Sequence, residues 1–183
     1  MRLDHNFITP IFSWDNVLSK KDFKITYDSV VEDKKHIDIP VLKQFILNTA
    51  VKDIVNTLGI NYKYIVEITE MWGNVLYQGD DHGHHNHPNN IFSGIFYLTD
   101  GNPTSFIDPR PASNVFQIDQ PTNSFNSTEV HYGAIPNVML IFDSWLRHYV
   151  TVNKTPNVRK TISFNILLRG EYGKENSLAN VRI

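Results

Sequence analysis

Apolar residues recur at helical spacing over one stretch of the first half of the chain: Val41, Leu42, Phe45, Ile46, Val51, Ile54, Val55 and Leu58. Asp38 is placed to cap that helix, Pro40 suits its first turn, where a missing N–H costs nothing, and Gly59 stops it. A helix with one apolar stripe needs a sheet to cover. From Gly59 onward the pattern changes to short β-rich runs split by Gly, Pro, Asn and Asp, at residues 62–72, 91–98, 138–142, 148–152 and 158–168. These predict a mainly β fold with a flanking helix (α+β), a sandwich or jelly roll backed by one or two helices. With no internal repeat and no low-complexity linker, residues 1–183 read as a single domain.

The last of these runs sorts its side chains into two chemically different rows. Ile162, Phe164, Ile166 and Leu168 point one way, and Arg159, Thr161, Ser163 and Asn165 the other. A row of hydrogen-bonding groups on a strand fits either an exposed sheet face or the lining of a pocket.

Composition narrows the chemistry. Hydrophobic residues at 41% and charged residues at 20% are those of an ordinary folded chain. The formal net charge of -2 gives no pull toward phosphate backbones or anionic lipid, so neither constitutive nucleic acid nor membrane is expected as a partner. No secretory leader or membrane-length apolar run is visible, which makes cytoplasmic residence the expectation. The absence of cysteine leaves nitrogen and oxygen ligands for any metal.

That directs attention to the run Asp80-Asp81-His82-Gly83-His84-His85-Asn86-His87-Pro88, which holds four histidines within six positions. Two histidines separated by one residue fall on the same side of an extended segment, so His85 and His87 can present two imidazoles to one ion. Such a run can also be a solvated loop. A facial metal site needs a third protein ligand, and His148, after the apolar run 138–142, is the best placed, although a histidine there can equally be a packed core residue. Arg159 follows after a stretch long enough to turn and return along a neighbouring strand. Its planar fork of donors suits a carboxylate, with hydroxyls at Thr161 or Ser163 beside it, although alone it reads as a surface charge.

Taken in order, these residues resemble a known family. The stretches His85-Asn86-His87-Pro88, Ser93-Gly94-Ile95-Phe96-Tyr97-Leu98, Asp108-Pro109-Arg110, Ser144-Trp145-Leu146-Arg147-His148 and Arg159-Lys160-Thr161-Ile162-Ser163-Phe164-Asn165 resemble the motifs of small 2-oxoglutarate/Fe(II)-dependent oxygenases of bacteria and phages. Trp72-Gly73-Asn74 is similar to the strand that precedes the histidine motif there, so the likeness spans roughly residues 64 to 168. The resemblance implies a double-stranded β-helix that binds Fe(II) and 2-oxoglutarate. His85 and His148 would hold the metal, joined by His87 on the spacing argument above, and Arg159 would anchor the cosubstrate. Tyr97, Thr161, Ser163, Asn165 and Asn74 would line or support its binding site. Such an enzyme would convert 2-oxoglutarate and dioxygen to succinate and carbon dioxide while hydroxylating a substrate that the sequence does not identify.

The broader superfamily places a carboxylate where this chain has His87. Three solutions are open at this stage: a true three-histidine site, a carboxylate from Asp80 or Asp81, or a wider site using His84 or His131. Two other classes also stay open, a three-histidine dioxygenase that oxidises thiols without a keto acid and a non-catalytic metal-binding phage or accessory protein. Tyr132, Trp145 and the polar stretch 114–128 are candidates for a lid, and the oligomeric state is open.

Overall fold

The computed structural model describes residues 8–33, 36–61, 63–110, 123, 126–174 and 178–183. In chain order its elements are β1 (Ile11–Trp14), α1 (Lys20–Ser29), α2 (Pro40–Phe45), a π-helical turn (Ile46–Ala50), α3 (Val51–Leu58), β2 (Ile65–Leu76), β3 (His82–His85), β4 (Phe92–Tyr97), β5 (Gly101–Ile107), β6 (Glu129–Ala134), β7 (Met139–Asp143), β8 (His148–Val150), β9 (Arg159–Arg169) and the short pair β10 (Glu171–Tyr172) and β11 (Val181–Arg182). The strands form an antiparallel five-stranded sheet, ordered β1-β7-β4-β9-β2, and a four-stranded sheet, ordered β3-β8-β5-β6. The two sheets pack face to face as the expected double-stranded β-helix, with Phe106 of the smaller sheet edge-on to Phe142 of the larger at 4.7 Å. Among the described residues no helix is long and apolar enough to cross a membrane.

The large sheet is buried on both faces, which is why its central strands read as unbroken apolar runs. On β4 and β7, Phe92, Phe96, Met139 and Ile141 face the helices, whereas Ile95, Tyr97, Leu140 and Phe142 face the second sheet. Strand β9 divides as its alternation predicts. Ile162, Phe164, Ile166 and Leu168 enter the helix-side core, and Arg159, Thr161, Ser163 and Asn165 turn to the other side. Of the two readings left open for that polar row, the exposed face is the one overturned, because Arg159, Thr161 and Asn165 are all buried.

The helix over 40–58 forms with Pro40 at its start and Gly59 left-handed (φ 65°) at its end, but it is interrupted by the π-helical turn. Asp38 does not cap it. Ile39 occupies the cap position without a side-chain bond, and Asp38 instead pairs with Lys43 at 2.8 Å. Helix α1 was not anticipated: its apolar stripe is thin, but Ser19 accepts a hydrogen bond from the Asp22 N–H to cap it, and Phe23 meets Phe96 edge-on. Strands β5 and β6 were also missed, since Gly101, Asn102 and Pro103 disguise the start of β5 as a loop. The expected run at 62–72 begins within the described residues at Ile65 and extends to Leu76, while Tyr62 lies outside them.

The approach of β4 to β9 depends on Gly94, whose Cβ, if present, would lie 2.1 Å from the fully buried Phe164 ring. A methyl group there has to displace an aromatic ring in a filled core, a change that costs about 1–3 kcal/mol or more. Gly94→Ala is therefore expected to lower the thermal unfolding midpoint by several degrees or to prevent folding. Gly83→Ala, with nothing within 4 Å of its Cβ, should shift it far less, and differential scanning calorimetry of the two variants checks the contrast.

Candidate metal centre and its pocket

Antiparallel pairing of β3 with β8 sets His85 directly opposite His148, with ring centroids 4.2 Å apart. His87 lies two residues past the end of β3, where its backbone N–H donates to the Ser144 carbonyl at 2.9 Å and its ring packs on Trp72. The His87 ring stands 5.1 Å from that of His85 and 5.2 Å from that of His148, and one nitrogen from each of the three lies within 4.8 Å of the others. That separation suits ligation of a single ion. Among the described residues this is the one cluster of three or more histidine or carboxylate side chains so arranged.

Two of the rings are oriented by the backbone. His85 Nδ1 bonds to the Gly83 carbonyl at 2.7 Å and His148 Nδ1 to the Leu146 carbonyl at 2.9 Å. A carbonyl only accepts, so both rings carry their proton on Nδ1 and turn the Nε2 lone pair toward the cluster, the tautomer a metal ligand needs. Burial pushes the His148 imidazole down to about 3 and that of His87 to about 4, with the neighbouring rings adding to the effect. Both are therefore neutral at physiological pH.

The carboxylates and other histidines considered from sequence lie elsewhere. The Asp80 carboxylate accepts the Tyr77 N–H in a tight turn, and Asp81 does not join the cluster. His84 stacks on Tyr149 and His131 bonds Ser105 at 2.8 Å. The three-histidine arrangement is the one the geometry supports. His82 was not singled out, because its spacing from His85 violates simple alternation. An irregularity in the β3–β8 ladder between the two turns it into the same cavity.

That cavity, about 220 Å³ in volume, runs between the sheets from the three histidines to Arg159. The guanidinium is 2% exposed and is held by Nε donating to the Asn102 carbonyl (3.0 Å) and Nη2 donating to Thr104 Oγ1 (3.1 Å). Its stem passes against Gly101, where a Cβ would come within 3.1 Å of it. No carboxylate among the described residues pairs with it. Burial lowers its pKa, but a guanidinium stays charged, so a buried cation faces the cavity without an anion. Thr104, missed from sequence along with β5, accepts from both Arg159 and the Tyr97 hydroxyl (2.8 Å). Tyr97 itself is fully buried behind the cavity wall, its ring 5.6 Å from the Arg159 guanidinium carbon.

Asn74 on β2 donates to both Ser163 Oγ (2.9 Å) and Thr161 Oγ1 (3.3 Å). Those hydroxyl oxygens are acceptors there, Thr104 accepts twice, and none of the three hydroxyls donates to an acceptor among the described residues, so their hydrogens can turn to a ligand. Asn165 does not line the cavity. Its Oδ1 accepts from Ser93, which in turn bonds Ser144 at 2.8 Å, so a buried chain of three polar side chains ends on the residue whose carbonyl holds the His87 backbone. Tyr132, partly buried, packs edge-on against Phe106 at the margin of the intersheet core. Trp145 is half exposed, and most of the stretch 114–128 lies outside the described residues. Three converging imidazoles open on one side, beside a buried cation with no anion among the described residues and hydroxyl donors, fit a divalent metal with an anionic chelating ligand.

A family described as "Putative 2OG-Fe(II) oxygenase" matches residues 70–165, just over half of the 183 residues. No curated protein matches the sequence. Solved structures match over most of their length. HygX from Streptomyces hygroscopicus, with nickel and 2-oxoglutarate bound, superposes with a TM-score of 0.56 at 10% identity, covering 86% of this chain and 81% of HygX. A Pseudomonas putida prolyl-4-hydroxylase gives 0.60 at 12%, covering 88% and 94%. SnoN, a non-haem alpha ketoglutarate dependent epimerase from nogalamycin biosynthesis, gives 0.62 at 8%, covering 93% and 83%. At these identities the likeness is one of fold.

The Asn165–Ser93–Ser144 chain predicts a measurable effect at the cluster. Ser93→Ala removes its middle member and leaves the buried Asn165 carbonyl without its donor. Equilibrium dialysis with Co(II) is expected to show divalent-metal affinity reduced about 10- to 100-fold, the usual effect of losing an outer support of a ligand. Unchanged affinity would mean that the chain does not hold His87 in place.

Proposed function

The chain belongs to the 2OG-Fe(II) oxygenase family, and from that premise we propose that it hydroxylates an organic substrate with Fe(II) held by His85, His87 and His148 and with 2-oxoglutarate anchored by Arg159. The observation that carries the reading is the buried Arg159 guanidinium facing the same cavity as three converging imidazoles, with no carboxylate among the described residues to neutralise it.

When bound, ferrous iron with 2-oxoglutarate supplies oxidising power from dioxygen: one oxygen atom enters the substrate as hydroxyl, the other enters succinate, and carbon dioxide leaves. The chain's own residues bind, orient and shield. Arg159, with the free hydroxyl hydrogens of Thr104 and Thr161, grips the distal carboxylate, and Tyr97 keeps Thr104 turned toward it. Ser163 is four residues along β9 from Arg159, about 13 Å at roughly 3.3 Å per residue, and so serves the metal end of the cavity. Asn74 fixes both β9 hydroxyls, and Asn165 acts from behind the wall through Ser93 and Ser144. Gly83 and Leu146 hold the His85 and His148 rings with Nε2 free. Ile95 and Val150 keep water from the space between.

Anaerobic addition of Fe(II) and 2-oxoglutarate is expected to produce a weak visible charge-transfer band. Arg159→Ala should weaken cosubstrate binding at least tenfold, and alanine at His85, His87 or His148 should abolish the band while His84→Ala and His131→Ala retain it. Absence of the band in the parent, together with oxygen uptake driven by simple thiols and indifferent to 2-oxoglutarate, would instead identify a thiol-oxidising three-histidine dioxygenase.

A further inference from the structure

The charge inventory of the cavity is unbalanced. Among the described residues no aspartate or glutamate lines it: their polar groups are four imidazoles, one guanidinium, three hydroxyls, the Asn74 amide and the Trp72 indole N–H. The carboxylates whose fields reach it, Asp33 and Asp81, act on His82 from outside the lining, and Asp33 is engaged by the Val75 N–H. On the proposed function, a divalent metal and Arg159 bring three positive charges into this space and 2-oxoglutarate brings two negative ones. A site with one carboxylate ligand would be neutral at that point. With His87 in its place, one positive charge is left in a partly buried cavity, where an uncompensated charge still carries a cost.

The hydrogen-bonding groups are unbalanced in the same sense and at a definite place. Ser163 Oγ accepts from Asn74, and its own hydrogen has no acceptor among the described residues. Along β9 it lies four residues from Arg159, toward the metal end of the cavity. Its register partners are Trp72 on β2 and Ile95 on β4, and the Trp72 ring packs on His87. An open donor therefore sits at the end of the cavity where the imidazole replaces a carboxylate.

We infer that this end of the cavity binds a second anionic group, so that the molecule oxidised carries a carboxylate or similar oxyanion close to the bond that reacts, held by Ser163 beside His87. The inference rests on the proposed function for its count of charges, and on the lining residues of this chain for its location. His87 then acts as a selectivity determinant as well as a ligand: by leaving the centre one unit positive, it favours an anionic substrate over a neutral one of the same shape.

Acetate and its neutral counterpart acetamide serve as probes of the full-length protein loaded anaerobically with Fe(II) and saturating 2-oxoglutarate, with the charge-transfer band as readout. Acetate is expected to shift the band saturably and acetamide to need at least tenfold higher concentration. Ser163→Ala should weaken acetate several-fold. His87→Asp, which restores a carboxylate ligand, should keep the band and weaken acetate at least tenfold. Equal responses to acetate and acetamide, no response to either, or undiminished acetate binding by His87→Asp would overturn the inference while leaving the function intact. Should the aspartate variant lose its metal, the acetate and acetamide comparison in the parent decides alone. Failure of the parent to develop the band would sink the function, and the inference with it.

Discussion

Strand β9 is paired on both sides and buried on both faces, and the site is built on that constraint. Its pairing with β2 and β4 fixes which residues turn to the helices and which to the second sheet. A slip of one residue would move Ile162, Phe164 and Ile166 into the cavity and Arg159 into the helix-side core, exchanging the two environments. Gly94, which admits the Phe164 ring, and Asn74, which ties Thr161 to Ser163, hold the same register from its two neighbouring strands. The guanidinium thus takes its position from core packing around it, while no carboxylate among the described residues pairs with its charge.

The second sheet brings the imidazoles to that floor. His85 and His148 face each other because β3 and β8 pair there, and backbone carbonyls choose their tautomers. His87 is held differently, by a backbone bond to Ser144 and an aromatic contact with Trp72. It is the ligand position at which the centre departs from the carboxylate pattern of its wider superfamily. The motif residues Ser93, Ser144 and Asn165 have a common purpose in this arrangement: they form one buried chain from β9 through β4 to the β7–β8 turn, where the Ser144 carbonyl accepts the His87 N–H.

Much of this was legible in the chain itself, for identifiable reasons. The 40–58 helix announced itself through periodicity and Gly59, and the two rows of β9 through strict alternation. His85 and His87 stood out by spacing, whereas His148 and Arg159 gained meaning only beside them and from the resemblance. What stayed hidden depended on tertiary context. Thr104 sits on a strand that opens with Gly-Asn-Pro, and His82 enters the cavity through a ladder irregularity that no periodicity encodes. The polar row could not be placed inside until both sheets were seen to cover it. Asp38 matched a capping pattern but found a nearer partner in Lys43.

Three imidazoles and no protein carboxylate are proposed to hold the metal. X-ray absorption spectroscopy of the Fe(II)-loaded protein addresses this most directly, since imidazole rings leave a multiple-scattering signature that carboxylates lack. A fit with three imidazoles per iron, falling to two in His87→Ala, is expected. A fit with two imidazoles and a carboxylate oxygen in the parent, unchanged by that substitution, would contradict it.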